Sequence, residues 1–345
     1  MDIKKSNRGK RNPCMDKAIT LNMNKKNTGY DIGSLPVLLT LHVRSEYLAK
    51  QLSDLKGAGI EKVFISIDGP RNAHDKIKQS EIEEILNSYK QEFQVFEIKQ
   101  SYYNAGIAVA MISAIDWFFS HNTYGVIFED DITFGSETIQ FFALALKSIK
   151  RMPNVLLVSG FQPFPPSPPS GHVVFTNYPQ IWGWATFAEK WVEMRSNIFR
   201  MPLLEQQISL DIRNFWKVGW KRVQRGYLDT WDLPIATGML FSNKLCMLPP
   251  VNLTSNIGVD SYSTNTQMES FPLGLKIEHI ICEIISEGIS TGPEIYKVNS
   301  RFEREIYNIG IKHVFSPALA LFDRIRFAKK KKRTLKERML STTNL

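Results

Sequence analysis

Three consecutive acids, Glu129, Asp130 and Asp131, follow an apolar run at residues 124–128 and lead into a loop containing Gly135. Adjacent carboxylates repel, which costs free energy unless a positive charge sits among them. A divalent cation removes that cost. Mg2+ or Mn2+ is held by one or two carboxylates plus the oxygens of a phosphate-bearing ligand. Side chains alternate along a strand, so Glu129 and Asp131 should face one way and Asp130 the other. The same triplet also suits a solvated acidic loop, and only its place in the fold separates the two. Arg44 follows another apolar run, where a guanidinium suits a phosphate or nucleotide as well as open surface. Asp68 ends a third run and either starts the Gly69-Pro70 turn or reads a ligand. Trp182 and Trp184 stand at i and i+2; on a strand they share a face and could stack on a sugar ring, although a buried aromatic cluster is the commoner outcome. Asp232 suits the first turn of a helix, with Asp229 or Thr230 as cap. The six His show no triad or zinc spacing, and His42, inside an apolar run, suits a core position. Cys14, Cys246 and Cys282 lack metal-ligand spacing and form no disulfide framework, which suits a reducing compartment.

These residues need elements to carry them. Short apolar runs at 36–43, 62–68, 94–98, 124–128 and 155–159 read as strands. Amphipathic or apolar stretches at 46–55, 74–89, 107–119 and 137–150 read as helices between them, the first with Ser45 as N-cap. The alternation predicts an α/β fold with a mostly parallel sheet sandwiched by helices. Ligands of such sheets bind beyond the carboxyl ends of the strands, which is where Arg44, Asp68, Asn104 and Glu129 fall. A Pro-rich loop at 161–170 opens a second half with a helix at 210–225, another from about Trp231, and a strand at 245–248. The organisation read from this is a polar basic segment at 1–33, one domain at 34–300 whose halves divide near residue 160, and a helical and basic tail at 301–345.

The chain has 345 residues and a net charge of +9, with 22% charged and 11% aromatic residues, which excludes global disorder. Residues 1–30 carry +6 and residues 321–345 carry +7, so the remainder is mildly acidic at −4. A nucleic-acid-binding domain carries its basic stripe on the folded body, so no nucleic-acid partner is expected. The tails suit solvated ends, or peripheral attraction to anionic lipid through residues 329–333. No apolar leader run and no stretch of roughly 20 apolar residues is present, so a cytoplasmic protein, soluble or peripheral, is expected.

Several segments together resemble one family, the inverting GT-A (Rossmann-like) glycosyltransferases related to the Golgi enzyme that adds N-acetylglucosamine to the trimannosyl core of N-glycans. The chain looks closest to their bacterial nucleotide-diphospho-sugar transferase relatives, over about residues 36–272. The segments are Leu41-His42-Val43-Arg44, Ser66-Ile67-Asp68-Gly69, Asn104-Ala105-Gly106 and Phe128-Glu129-Asp130-Asp131. To these are added the aromatic segment from Tyr178 through Trp182-Gly183-Trp184, then Asp229-Thr230-Trp231-Asp232, and the loop from Asn252 to Gly258. The resemblance implies Mn2+ or Mg2+ at Asp131. It implies sugar and nucleotide contacts from Glu129 and Asp130, and donor contacts from Arg44, Asp68, Asn104, Trp182 and Trp184. It makes Asp232 the catalytic base. It also implies a nucleotide-diphosphate sugar as donor, a UDP-sugar such as UDP-GlcNAc first, and a glycan or lipid-linked acceptor in surface polysaccharide or lipopolysaccharide synthesis. Two positions depart: Ile107-Ala108 stands where relatives carry a Lys or Arg, and Asn265 where they carry a His. A catalytically inactive nucleotide-sugar-binding paralogue and a related nucleotidyltransferase are the alternatives.

Overall fold

The computed structural model describes residues 30–163, 173–205, 208–258 and 333–343. Its first half alternates strand and helix: β1 (Pro36–Leu41), α1 (Leu48–Gly57), β2 (Lys62–Ile67), α2 (Ala73–Tyr89), β3 (Val95–Gln100), α3 (Ile107–His121), β4 (Tyr124–Glu129), β5 (Ile132–Phe134), α4 (Ser136–Ile149) and β6 (Val155–Ser159). The second half adds β7 (Val174–Thr176), β8 (Trp184–Phe187), α5 (Ala188–Phe199), α6 (Leu210–Gln224), α7 (Asp232–Phe241), β9 (Leu245–Leu248), β10 (Thr254–Asn256) and a C-terminal helix, α8 (Leu335–Thr343).

Eight strands form one sheet in the order β3-β2-β1-β4-β8-β6-β9-β7. β8 runs antiparallel to β4 and β6, and β7 antiparallel to β9; every other pair is parallel. The result is the mixed, mainly parallel, Rossmann-like sheet expected from the alternation. β1 is buried on both faces. Val37, Leu39 and Leu41 pack with α1, α2 and α4, while Leu38 packs with α3, α5 and α7. That double burial explains why β1 reads as a nearly continuous apolar run, interrupted only by Thr40. Chain order reverses between β1 and β4, and β10 pairs with β5 just beyond the acidic triplet.

Local departures have plain causes. Ser45 does not cap α1; its hydroxyl donates to Glu81 (2.7 Å), and α1 starts later with no side-chain cap. Asn72 caps α2, accepting from the Asp75 amide (3.0 Å). α5 is a helix that the sequence reading does not include; its buried stripe of Trp191, Met194 and Ile198 is broken up by polar and charged residues. β5, β7, β8 and β10 have only three or four residues each, too short to show a period. The C-terminal end is not wholly a solvated tail: α8 buries Leu335 and Met339 against α3 and its neighbours. Cys14, Asn265, most of the N-terminal basic segment and residues 329–332 lie outside the described residues.

Candidate active site

A cavity of about 540 Å³ opens at the carboxyl ends of β1, β2 and β4, at the point where strand order reverses. Of the residues singled out above, Arg44, Asp68, Asn104, Glu129, Asp130, Asp131, Trp182 and Asp232 line it. They come from six separate stretches of chain.

The triplet is built by the exit of β4. Pairing with β1 ends at Glu129, and Asp130 and Asp131 form the turn into β5. Gln51 of α1 holds that turn, its side-chain amide donating to the carbonyls of Glu129 (3.0 Å) and Ile132 (2.8 Å). Strand alternation therefore does not govern Asp130 and Asp131. Arg44 gathers both: its Nη1 donates to Asp130 Oδ1 (2.8 Å) and Asp131 Oδ2 (3.2 Å). The backbone amide of His42 donates to Asp130 Oδ2 (3.3 Å). Burial pushes the Asp130 carboxyl upward, and the Arg44 guanidinium opposes this. Glu129 is driven well above the usual carboxylate range, first by burial, then by the charges of Asp131, Asp130 and Asp232. Loop 252–258 closes over this cluster, with the Ile257 amide on the Asp131 carbonyl (2.9 Å) and Gly258 against the Asp131 carboxylate.

The opposite wall is a network at the ends of β2 and β3. Asp68 Oδ1 accepts from the amides of Gly69 and Ala105 (both 2.9 Å), and its Oδ2 accepts from the Asn104 side chain (2.8 Å). Burial raises the Asp68 carboxyl, and those two amides pull it back. Asp68 thus starts its own turn and also orders the Asn104 loop that faces the cavity. His42 is not a core histidine: β1 ends before it, its ring lies 3.3 Å from the Asn104 amide, and it lines the cavity. Two cations that sequence reasoning passed over also line it, Arg71 and Lys99. Arg71 is held by Asp75, Nε to Oδ2 at 2.7 Å. Lys99 donates to the Ser113 carbonyl (3.1 Å), and burial lowers its ammonium while Asp116 opposes. Lys99 sits near the end of β3, and the strand-end rule used for Arg44 could have found it.

The third wall comes from the second half. Asp232 is the first residue of α7, and its Oδ1 accepts from the Leu233 amide (2.7 Å) and the Thr230 hydroxyl. Asp229 does not cap α7; its Oδ1 accepts from the Ala108 amide (3.2 Å) in the first turn of α3.

The tryptophan pair is split. Gly183 has φ +77° and breaks the strand pattern between the two residues. Trp182 packs on Phe161 (centroids 4.4 Å apart) and lines the cavity. Trp184 is only 1% exposed, stacks on Trp231 (5.8 Å) on the other face of the sheet, and does not line the cavity. Its expected place at a bound sugar is therefore corrected to a core role.

Fold and site together define a Rossmann-like α/β protein with a cavity at the strand ends. No protein-family model and no curated protein matches the chain. Among solved structures, the chain is similar to a UDP-glucose pyrophosphorylase complexed with UDP-glucose, at 7% identity over 62% of this chain and 90% of that one, with a TM-score of 0.36. It is also similar to the inositol-1-phosphate CTP transferase from T. maritima, at 9% identity over 65% of this chain and 90% of that one, again with a TM-score of 0.36. At this level neither likeness bears on the function.

Proposed function

We propose that this chain is a metal-dependent glycosyltransferase that moves a sugar from a nucleoside-diphosphate donor to an acceptor hydroxyl with inversion. One observation carries the reading: Asp232, from the second half, shares a cavity with the Arg44–Asp130–Asp131 cluster at the β1/β4 reversal. The resemblance drawn from the motifs supports the same chemistry. Asp68, Asn104 and Arg44 would take the nucleotide side of the donor, and Trp182 the sugar. Asp232 would accept the proton of the acceptor hydroxyl as its oxygen attacks the anomeric carbon. The bond from that carbon to the diphosphate oxygen breaks, and the nucleoside diphosphate leaves with the electron pair.

A divalent cation fits the donor set. Among the described residues no group of three or more His, Cys, Asp or Glu side chains is placed to hold a metal ion. Mg2+ and Mn2+ do not need such a group when substrate phosphates complete the shell. Hard carboxylate oxygens are present: Asp130 and Asp131 converge on the single Arg44 guanidinium, and Glu129 and Asp232 line the same cavity. Asp131 would hold the ion, which when bound neutralises charge on the leaving diphosphate. A UDP-sugar, UDP-GlcNAc first, is the donor to test, with glycan or lipid-linked acceptors of a bacterial cell-surface polysaccharide or lipopolysaccharide at the inner face of the cytoplasmic membrane. Among the described residues no helix is long and apolar enough to cross a membrane.

The test is thermal unfolding with UDP, GDP and CMP, each with and without Mn2+, followed by product analysis with the matching sugar donors. A nucleotide at 100 times its dissociation constant should stabilise wild type by roughly 2.7 kcal/mol. The shift should require Mn2+ and vanish in Asp131→Asn. Turnover should release nucleoside diphosphate and an anomerically inverted product. Binding without turnover would assign the chain to inactive paralogues, and pyrophosphate release from a nucleoside triphosphate would assign it to nucleotidyl transfer.

A further inference from the structure

Helix α8 lies far along the chain from the residues it touches. Thr334 and Glu337 form a reciprocal cap at its start: the Glu337 amide donates to the Thr334 hydroxyl (3.2 Å), and the Thr334 amide to the Glu337 carboxylate (2.8 Å). Leu335 and Met339, one turn apart, are buried beside α3 and α6. This anchorage aims Arg338 at the cavity wall. Its Nη1 donates to Asp229 Oδ1 (3.1 Å) and its Nη2 to Asp229 Oδ2 (3.2 Å), the two-pronged geometry that fixes a carboxylate in orientation as well as position. Nη2 also donates to the Ala105 carbonyl (2.8 Å). Asp229 in turn receives the Ala108 amide.

Gly106 makes this joint possible. Its φ is +78°, and a Cβ there would lie 2.5 Å from both Arg338 Nη2 and Asp229 Oδ2. One guanidinium therefore ties the Asn104–Gly106 loop to the Asp229–Asp232 segment, and Asp229 carries the tie on to the head of α3. Ala105, Gly106, Asp229 and Asp232 all line the cavity. The two charged side chains are 22% and 42% exposed, and pairs this open to water add little to global stability. What the pair does restrict is where residues 229–232 can go.

We propose that Arg338 is a positioning residue for the candidate base. Resting on the transferase reading, it acts through Asp229 to hold Asp232 at the acceptor side, and the C-terminal helix is a working part of the site. The experiment uses full-length wild type, Arg338→Ala, Arg338→Lys, Asp229→Asn and the Arg338→Ala/Asp229→Asn double variant. Arg338→Ala should lower kcat on the order of 10- to 100-fold, the scale of a small misplacement of a catalytic group. Donor KM and the nucleotide-induced thermal shift should not change, because Asp68 still holds the Asn104 loop through the Asn104 side chain and the Ala105 amide. The double variant should be no slower than the slower single one, because both remove the same joint. Arg338→Lys should recover part of kcat, since an ammonium reaches the carboxylate without the planar fork. Hydrogen exchange should quicken at the amides of residues 108 and 229–233 and stay unchanged in β1 and β4. A lower Tm with kcat intact would overturn the proposal, as would a raised donor KM with kcat intact. Unchanged exchange at 229–233 would also sink it, and that arm reads the joint without turnover. A wild type that transfers no sugar from any donor would instead refute the transferase reading.

Discussion

Asp232 Oδ1 accepts from the Leu233 amide and the Thr230 hydroxyl, so its carboxylate is oriented at the head of α7 before any ligand arrives. An asparagine would keep an oxygen for those donors but lose the negative charge and the ability to take a proton. Asp232→Asn should therefore lower kcat by roughly 10²- to 10⁴-fold while the nucleotide-induced thermal shift survives. Loss of that shift would make Asp232 a donor ligand instead. Asp75 has a different role. It is buried, and its hydrogen bonds from Arg71 hold its carboxyl below the ordinary value. A depressed folded-state value means that the stabilisation is present above the unfolded value of about 4 and is lost as pH falls through the folded one. Asp75→Asn should cost about 1.5–3 kcal/mol at pH 7, the range for losing a hydrogen bond to a charged group. The gap from wild type should close in acid, and urea midpoints at pH 7 and pH 3 would test this. A gap independent of pH would show that packing, not charge, makes Asp75 matter.

Among the elements, β8 depends most on one residue. Gly183 turns the chain into it with φ +77°, and its carbonyl accepts from the Gly160 amide (2.8 Å). A Cβ there would lie 2.8 Å from the Phe128 ring and 3.0 Å from Thr254 Cγ2. Gly183→Ala should cost about 2 kcal/mol or more, combining the left-handed backbone with overpacking of a closed core. An unchanged melting temperature would mean that the turn before β8 can relax. The same glycine explains why the tryptophan pair could not be read from spacing. The i, i+2 rule holds only within continuous strand, and the chain reverses its facing at Gly183. Arg44, by contrast, could be placed from sequence, because β1 is a clean six-residue run and the residues just beyond it must emerge at the sheet edge.

At the scale of the molecule, β8 is inserted between β4 and β6, so the division near residue 160 is not a boundary between folding units. Residues 1–163 alone would leave β6 without either neighbour, since β8 and β9 both come later. They would also leave the α3 face without α5, α7 and α8. That fragment should show no cooperative thermal transition by calorimetry. A sharp transition would mean that β1–β4 with their helices bury enough surface on their own.

Sequence alone determined what depends on local period and chain order. The alternation of apolar runs with amphipathic stretches required a mainly parallel sheet with covered faces, and the ends of those runs named Arg44, Asp68, Asn104 and the acidic triplet. Tertiary structure alone decided what depends on contacts between distant segments. It made Asp130 and Asp131 share Arg44, sent Trp182 and Trp184 to opposite faces, brought Arg71 and Lys99 to the cavity, and docked Arg338 on Asp229. Local propensity has no information about a partner far away in the chain, and packing and charge choose that partner only once the sheet has formed.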